Sequence, residues 1–175
     1  MEIYLIRHTT PEIGKGVCYG DSDIPLRVTF SLEAEKILSA IPKSFDKVYS
    51  SPLQRCTQLA YVISEDITLD NRLKELNFGS WELKKWTDIP HNEIQPWYDD
   101  WVNKPTHNGE SYQELQNRGI SFLEDIPNDY NRIAIVTHAG VIRSLWAYFK
   151  NIALKKSFNA LVIEYGAVIK IIYRA

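Results

Sequence analysis

The sequence predicts an α/β fold, a three-layer sandwich in which a mostly parallel central sheet carries helices on both faces and a small helical lid. Three observations carry that expectation. A strand-then-helix order recurs along the chain, which favours parallel pairing through crossover helices. The strand segments are short runs of branched apolar residues halted by polar ones, as buried strands are. The helical segments place apolar residues at three- and four-residue intervals and carry start and stop signals.

The first strand is the run from Ile3 to Ile6, halted by Arg7 and His8. After a loop containing Pro11, Gly14, Gly16 and Gly20, Ser31 is placed to cap a helix over about 32–41, with Glu33 near its positive end and Pro42 beyond it. Val48 and Tyr49 form a brief second strand. In SSPLQRCTQLAYVI, Ser51 takes the N-cap position and Pro52 the first helical position, and Leu53, Cys56, Leu59, Ala60 and Ile63 share one apolar face. Farther on, Ser111 and Glu114 have capping-box spacing ahead of Leu115, Phe122 and Leu123. A third strand lies within Arg132 to Thr137, followed by His138 and the apolar helix GVIRSLWAYF. ALVIEY, Gly166 and AVIKIIY read as a closing antiparallel hairpin. The stretch from about 72 to 125 is polar and aromatic without strong strand signals, and is expected to form a lid inserted in a single domain spanning 1–175.

At 175 residues the chain fits one core with an inserted lid better than two independent domains. Hydrophobic residues make up 45%, enough to exclude disorder as the general state. Lys and Arg number 20 against 22 Asp and Glu, a balance unlike that of a dedicated nucleic-acid binder, so no nucleic-acid partner is expected. Cys18 and Cys56 fit neither a disulfide framework, a zinc pair nor a CxxC motif, and a reduced cytoplasmic setting follows as the expectation. The opening MEIYLIRH lacks a basic region followed by a long apolar stretch, and no membrane association is expected.

Open α/β sheets build their sites at the carboxyl ends of parallel strands. Strand one ends in Arg7 and His8, strand two leads through Ser50 and Ser51 to Arg55, and strand three ends in His138. Taken singly, each is better read as a hydrogen-bonded structural residue or, for Arg55, a solvent-facing one. Together they gather positive groups that an anion would neutralise. Phosphate fits best, because guanidinium groups match its oxygens and the helix after His138 offers backbone amides. A metal between the histidines is disfavoured, since the arginines would repel it and no carboxylate cluster accompanies them. No metal or other cofactor is expected.

There is no GxxxxGK[ST] loop, and neither cysteine is followed six positions later by Arg. Asp21 and Asp23 have DxD spacing but follow a Gly-rich loop, where turn formation is their expected work. Histidine remains as candidate nucleophile, provided its other nitrogen donates a bond that fixes the tautomer. The leaving alkoxide then needs a proton from a carboxylic acid, for which Glu75 in RLKELNFGSWE is the first candidate and Glu82 the second; either is also readable as a surface acid.

These residues resemble the histidine phosphatase superfamily, also called phosphoglycerate mutase-like. LIRHTT resembles its RHG signature, SSPLQRCTQLA its second-arginine helix, LKELNFGSWE its general-acid segment, NGESYQEL its GES segment and VTHAGVIRSL its second-histidine motif, in order over nearly the whole chain. The resemblance implies His8 as the phosphorylated nucleophile and Glu75 as the acid that protonates the leaving group and then activates water. It implies Arg7, Arg55 and His138 around the transferring phosphoryl group, with Thr9, Tyr19, Gly20 and Ala139 as substrate contacts. Two departures stand out. Thr9 replaces the usual glycine, and Gly14 stands where many members carry a phosphate-contacting asparagine, so Thr9, Thr10 or amides around Gly14 are the expected replacement donors.

Within the superfamily, GVCYGDSDIPL resembles the loop of α-ribazole phosphatases, which remove phosphate from a cobalamin lower-ligand precursor. The resemblance thus implies a small phosphorylated metabolite as partner. A broad-specificity sugar-phosphate or phosphoserine phosphatase and a catalytically silent phospho-ligand binding module are the alternatives; the lid lacks the longer insertion of glycolytic mutases. Trp81, Trp86, Trp97 and Trp101 are expected to pack the lid onto the core, with base stacking as the competing role and homodimer contacts compatible with either.

Overall fold

The structure, a computed structural model, describes residues 1–173. Among the described residues five strands form one sheet in the order β3-β2-β4-β1-β5. They are β1 (Glu2–Arg7), β2 (Lys47–Ser50), β3 (Ile67–Leu69), β4 (Arg132–Thr137) and β5 (Val168–Ile172). All pairings are parallel except that of β5, which runs antiparallel to β1. The helices are α1 (Phe30–Ala40), α2 (Gln54–Ile63), α3 (His91–Asp99), α4 (Tyr112–Glu124), α5 (Ala139–Phe149) and the short α6 (Ser157–Ala160).

The alternation of side chains along a strand creates the layers. Ile3, Leu5, Ile133 and Ile135 point into a core shared with Leu115 and Phe122 of α4 and Val141 and Leu145 of α5. Their strand neighbours Tyr4, Ile6, Ala134 and Val136 point into a second core with Ala34 and Ile37 of α1 and Cys56 and Leu59 of α2. The inner strands are therefore apolar on both faces, the expected pattern for a sheet covered twice.

Several local expectations shift. Helix α1 starts one residue before Ser31, with Thr29 at its N-cap. Glu33 does not sit idle near the positive end, since its carboxylate accepts from Thr29 Oγ1 at 2.6 Å and from the amide and hydroxyl of Thr10. Helix α2 begins at Gln54, not at Pro52, and Asp23 Oδ1 takes the Gln54 amide at 2.8 Å; Ser51 Oγ reaches the Leu53 amide only at 3.4 Å. The capping box of Ser111 and Glu114 forms as expected. Strand β3 gave no sequence signal because it is three residues long and largely exposed.

The closing hairpin is not formed. Residues 161–164 carry no strand, and only β5 pairs with the sheet. The backbone there is committed to side chains: the Ile163 carbonyl accepts from Arg7 at 2.7 Å and the Leu161 carbonyl from Arg143 at 3.3 Å.

The stretch 72–125 does two different things. Tyr112, Leu115, Phe122 and Leu123 of α4 belong to the main core. The segment before it, built of short 3-10 turns and α3, packs around buried Trp81, with Trp86 and Trp97 stacked at 6.1 Å between centroids.

Candidate active site

In the parallel register Arg7 pairs with Thr137, so the next residues, His8 and His138, leave adjacent strands side by side. Their ring centroids lie 5.1 Å apart. Both rings are buried at the floor of a cavity of about 790 Å³.

His8 Nδ1 lies 2.6 Å from the Thr9 carbonyl oxygen. A carbonyl only accepts, so Nδ1 carries the proton and Nε2 keeps its lone pair. Burial, followed by the charge of Arg55 and then Arg7, pushes the His8 pKa well below its ordinary value of 6.5 despite the Thr9 bond. The ring is neutral near pH 7, the state a nitrogen nucleophile needs.

For His138 the same logic fixes the other tautomer. Arg55 Nε can only donate, so His138 Nδ1 accepts from it at 3.3 Å, and Nε2–H donates to Ser51 Oγ at 2.8 Å. Burial first, then Arg55, lowers the His138 pKa as well. The buried Cys56 thiol packs 3.4 Å from Nε2, and burial keeps it protonated by raising its pKa.

Arg55 is fully buried and is aimed by backbone carbonyls, with Nη1 donating to Ser22 at 2.7 Å and Nη2 to Gly20 at 2.6 Å. Glu82 in turn ties that loop down. It accepts from the amides of Gly20, Asp21, Ser22 and Phe78 and from the Ser22 hydroxyl. Glu82 does not line the cavity, which removes it as a candidate acid; its carboxylate is spent on the Arg55 loop. Glu75 does line it. Its oxygens accept from the amides of Leu76 and Gly140, each at 2.9 Å, and Arg118 braces its segment through the carbonyls of Arg72 and Glu75 while pairing with Glu110.

Of the sequence candidates, Arg7, His8, Tyr19, Arg55, Glu75, His138 and Ala139 come together around the one cavity. Thr9 and Gly20 stand behind it. Thr9 contributes its carbonyl, while its hydroxyl is buried without a partner among the described residues. A Cβ on Gly20 would lie 1.7 Å from the Leu76 carbonyl oxygen, so glycine there permits close loop contact rather than ligand contact. Both donors of Thr10 are taken by Glu33, and Gly14 is exposed and does not line the cavity, so neither replaces the missing asparagine. Sequence reasoning missed Ser51 as a partner of His138, Tyr165 over Arg7, and the rim cations Arg143, Lys155 and Lys156. Arg143 was the legible one, lying on the cavity side of the helix that His138 precedes.

The remaining walls are aromatic. Phe78, Trp86 and Trp97 form one, and Trp101, Tyr112 and Phe158 the other, with Arg143 stacked 4.1 Å over Phe158. The packing reading of the tryptophans holds: Trp81, Trp86 and Trp97 share one apolar cluster and Trp101 packs against the main core, while Trp86, Trp97 and Trp101 also line the cavity. Among the described residues no helix is long and apolar enough to cross a membrane.

Comparison with known proteins agrees with this arrangement. The chain is 30% identical over 167 residues to "Putative phosphoserine phosphatase 2" of Hydrogenobacter thermophilus, covering 90% of this chain and 82% of that protein. It is 31% identical over 151 residues to "Probable phosphoglycerate mutase GpmB" of Escherichia coli, covering 79% and 69%. The crystal structure of the alpha-ribazole phosphatase from Shigella flexneri superposes with a TM-score of 0.90 at 25% identity, covering 99% of this chain and 91% of that one. The description that matches residues 3–175 names the family these relatives and the paired histidines point to: the chain belongs to the histidine phosphatase superfamily (branch 1), and is a phosphatase.

Proposed function

We propose that this phosphatase hydrolyses phosphomonoesters through a phosphohistidine on His8, and that its substrate is α-ribazole 5'-phosphate. The observation that carries the chemistry is the Thr9 bond to His8 Nδ1, which leaves Nε2 as the attacking atom beside two arginines. Nε2 forms the N–P bond as the ester P–O bond breaks, and the leaving oxygen takes its proton from Glu75. The Glu75 carboxylate then removes a proton from water, whose oxygen attacks phosphorus, releasing inorganic phosphate and neutral His8. Arg7 and Arg55 offset charge on the equatorial oxygens, so positive charge is supplied by the protein itself. The substrate assignment rests on the two aromatic walls, which suit a flat base, and on the likeness to the Shigella flexneri enzyme.

A second reading, hydrolysis of phosphoserine or a sugar phosphate, is favoured by Arg143, Lys155 and Lys156. They line the cavity without an ion-pair partner among the described residues. Phosphate release in EDTA from α-ribazole 5'-phosphate, phosphoserine, glucose 6-phosphate and p-nitrophenyl phosphate separates the readings, with His8→Ala as the control. Selective release from the first supports the proposal, and preference for phosphoserine or the sugar ester replaces the substrate. Retained activity in His8→Ala defeats the mechanism.

A further inference from the structure

Arg7 and Arg55 are oriented by two loops that are far apart in sequence. Arg7 donates Nη1 to the Ile163 carbonyl at 2.7 Å, and its guanidinium carbon lies 3.8 Å from the centroid of the Tyr165 ring. Arg55 takes its direction from the carbonyls of Gly20 and Ser22, and lies 5.6 Å from the Tyr19 ring. The two phenols meet: Tyr19 Oη and Tyr165 Oη are 2.6 Å apart, across a sequence separation of 146 residues. Each ring covers one arginine, and a single O–H···O bond joins the covers.

We propose that Tyr165 is a positioning residue of this active site, holding the Arg7 guanidinium plane with its ring and, through Tyr19, fixing the spacing between the two phosphate-binding arginines. The inference rests on the phosphatase reading of the site. Local backbone geometry shows that the placement is built in. The Ala167 amide closes a turn onto the Glu164 carbonyl at 3.1 Å, with Tyr165 second and Gly166 third at φ 72°, the left-handed position a type II turn reserves for glycine. The Gly166 amide also donates to the His8 carbonyl at 3.1 Å, which ties the turn to the nucleophile's own backbone. The Tyr165 ring centroid stands 5.6 Å from that of His8. Tyr165 is 37% exposed, so its removal opens no core cavity and its effect belongs in the site rather than in stability.

Three single variants and one double variant test this with p-nitrophenyl phosphate turnover, calorimetric binding of inorganic phosphate and thermal melting. Tyr165→Phe keeps the ring and loses the hydroxyl, Tyr165→Leu loses both, and Tyr19→Phe removes the bond from the other side. Tyr165→Leu is expected to lower kcat/KM and phosphate affinity by about 30-fold, since a displaced positioning contact costs orders of magnitude in rate. Each Phe variant is expected to lose about fivefold, the worth of one hydrogen bond. The double Tyr19→Phe, Tyr165→Phe protein is expected to be no worse than either single, with melting unchanged throughout. Wild-type turnover and phosphate binding in Tyr165→Leu overturns the proposal, as do losses that multiply in the double variant. If wild type binds phosphate but cleaves no ester, the hydrolase reading fails while weaker phosphate binding in Tyr165→Leu still upholds the positioning role; no phosphate binding by wild type overturns both.

Discussion

Gly140 and Glu75 fit against each other with no room for a side chain between them: the Gly140 amide donates to Glu75 Oε2 at 2.9 Å, and a Cβ on Gly140 would lie 2.2 Å from Oε1. Gly140 sits in the first turn of α5, where alanine would otherwise be the better helix former. Gly140→Ala is therefore expected to fold normally while displacing the carboxylate from its seat against α5. The expected result is a kcat lowered about 100-fold with phosphate affinity near wild type, read by steady-state kinetics and calorimetry. An unchanged kcat would show that Glu75 does not need its seat against α5.

Glu82→Gln and Glu75→Gln separate the two acids that share one sequence segment. Glu82 holds the Gly20–Ser22 loop that aims Arg55, so its neutralisation is expected to raise KM and lower stability by about 1 kcal/mol, leaving kcat within a fewfold. Glu75→Gln is expected to lower kcat about 100-fold or more with little change in melting. The reverse pattern would exchange their roles.

Ser51→Ala leaves the buried His138 Nε2–H without its oxygen acceptor. An unmatched buried donor costs about 1–3 kcal/mol, and urea unfolding is expected to show a loss in that range. The freed ring also relaxes its hold beside Arg55, so phosphate inhibition should weaken. Stability equal to wild type would mean that Ser51 is no more than loop packing.

Both site histidines have pKa values lowered below 6.5, chiefly by burial and then by Arg55. His8 therefore stays neutral below pH 6.5, and the acid limb of kcat/KM, corrected for substrate ionisation, is expected below that value. The stability consequence has a definite sign. The unfolded histidines take up protons first as pH falls, so stability present above about pH 6.5 declines as the pH drops below it. His8→Asn should make that decline shallower, leaving the share of His138, in denaturant titrations between about pH 6.5 and 5. A wild-type stability that is flat across the window would contradict the assigned neutral rings.

The strand ends were legible in the sequence. Short apolar runs stopped by Arg7–His8 and by Thr137–His138 announce buried parallel strands, and parallel strands deliver their termini to one edge. The Ser111–Glu114 cap was legible too, because its partners are three residues apart. What failed were local rules whose atoms were claimed from a distance. Ser51 had the sequence of an N-cap, but its hydroxyl takes up His138, 87 residues away, at 2.8 Å and reaches the nearby Leu53 amide only at 3.4 Å. Residues 161–164 had the pattern of a strand, but their carbonyls serve Arg7 and Arg143.

The sequence alone thus determined the layers and the kinds of group at the site, because side-chain periodicity and chemical type are local properties of the chain. Tertiary structure alone decided which acid faces the cavity, which nitrogen of each histidine carries the proton, and that Tyr19 and Tyr165 meet above the arginines. Those outcomes depend on where a donor finds its acceptor. In a folded core that acceptor is set by which distant loops pack together, and no spacing in the sequence records it.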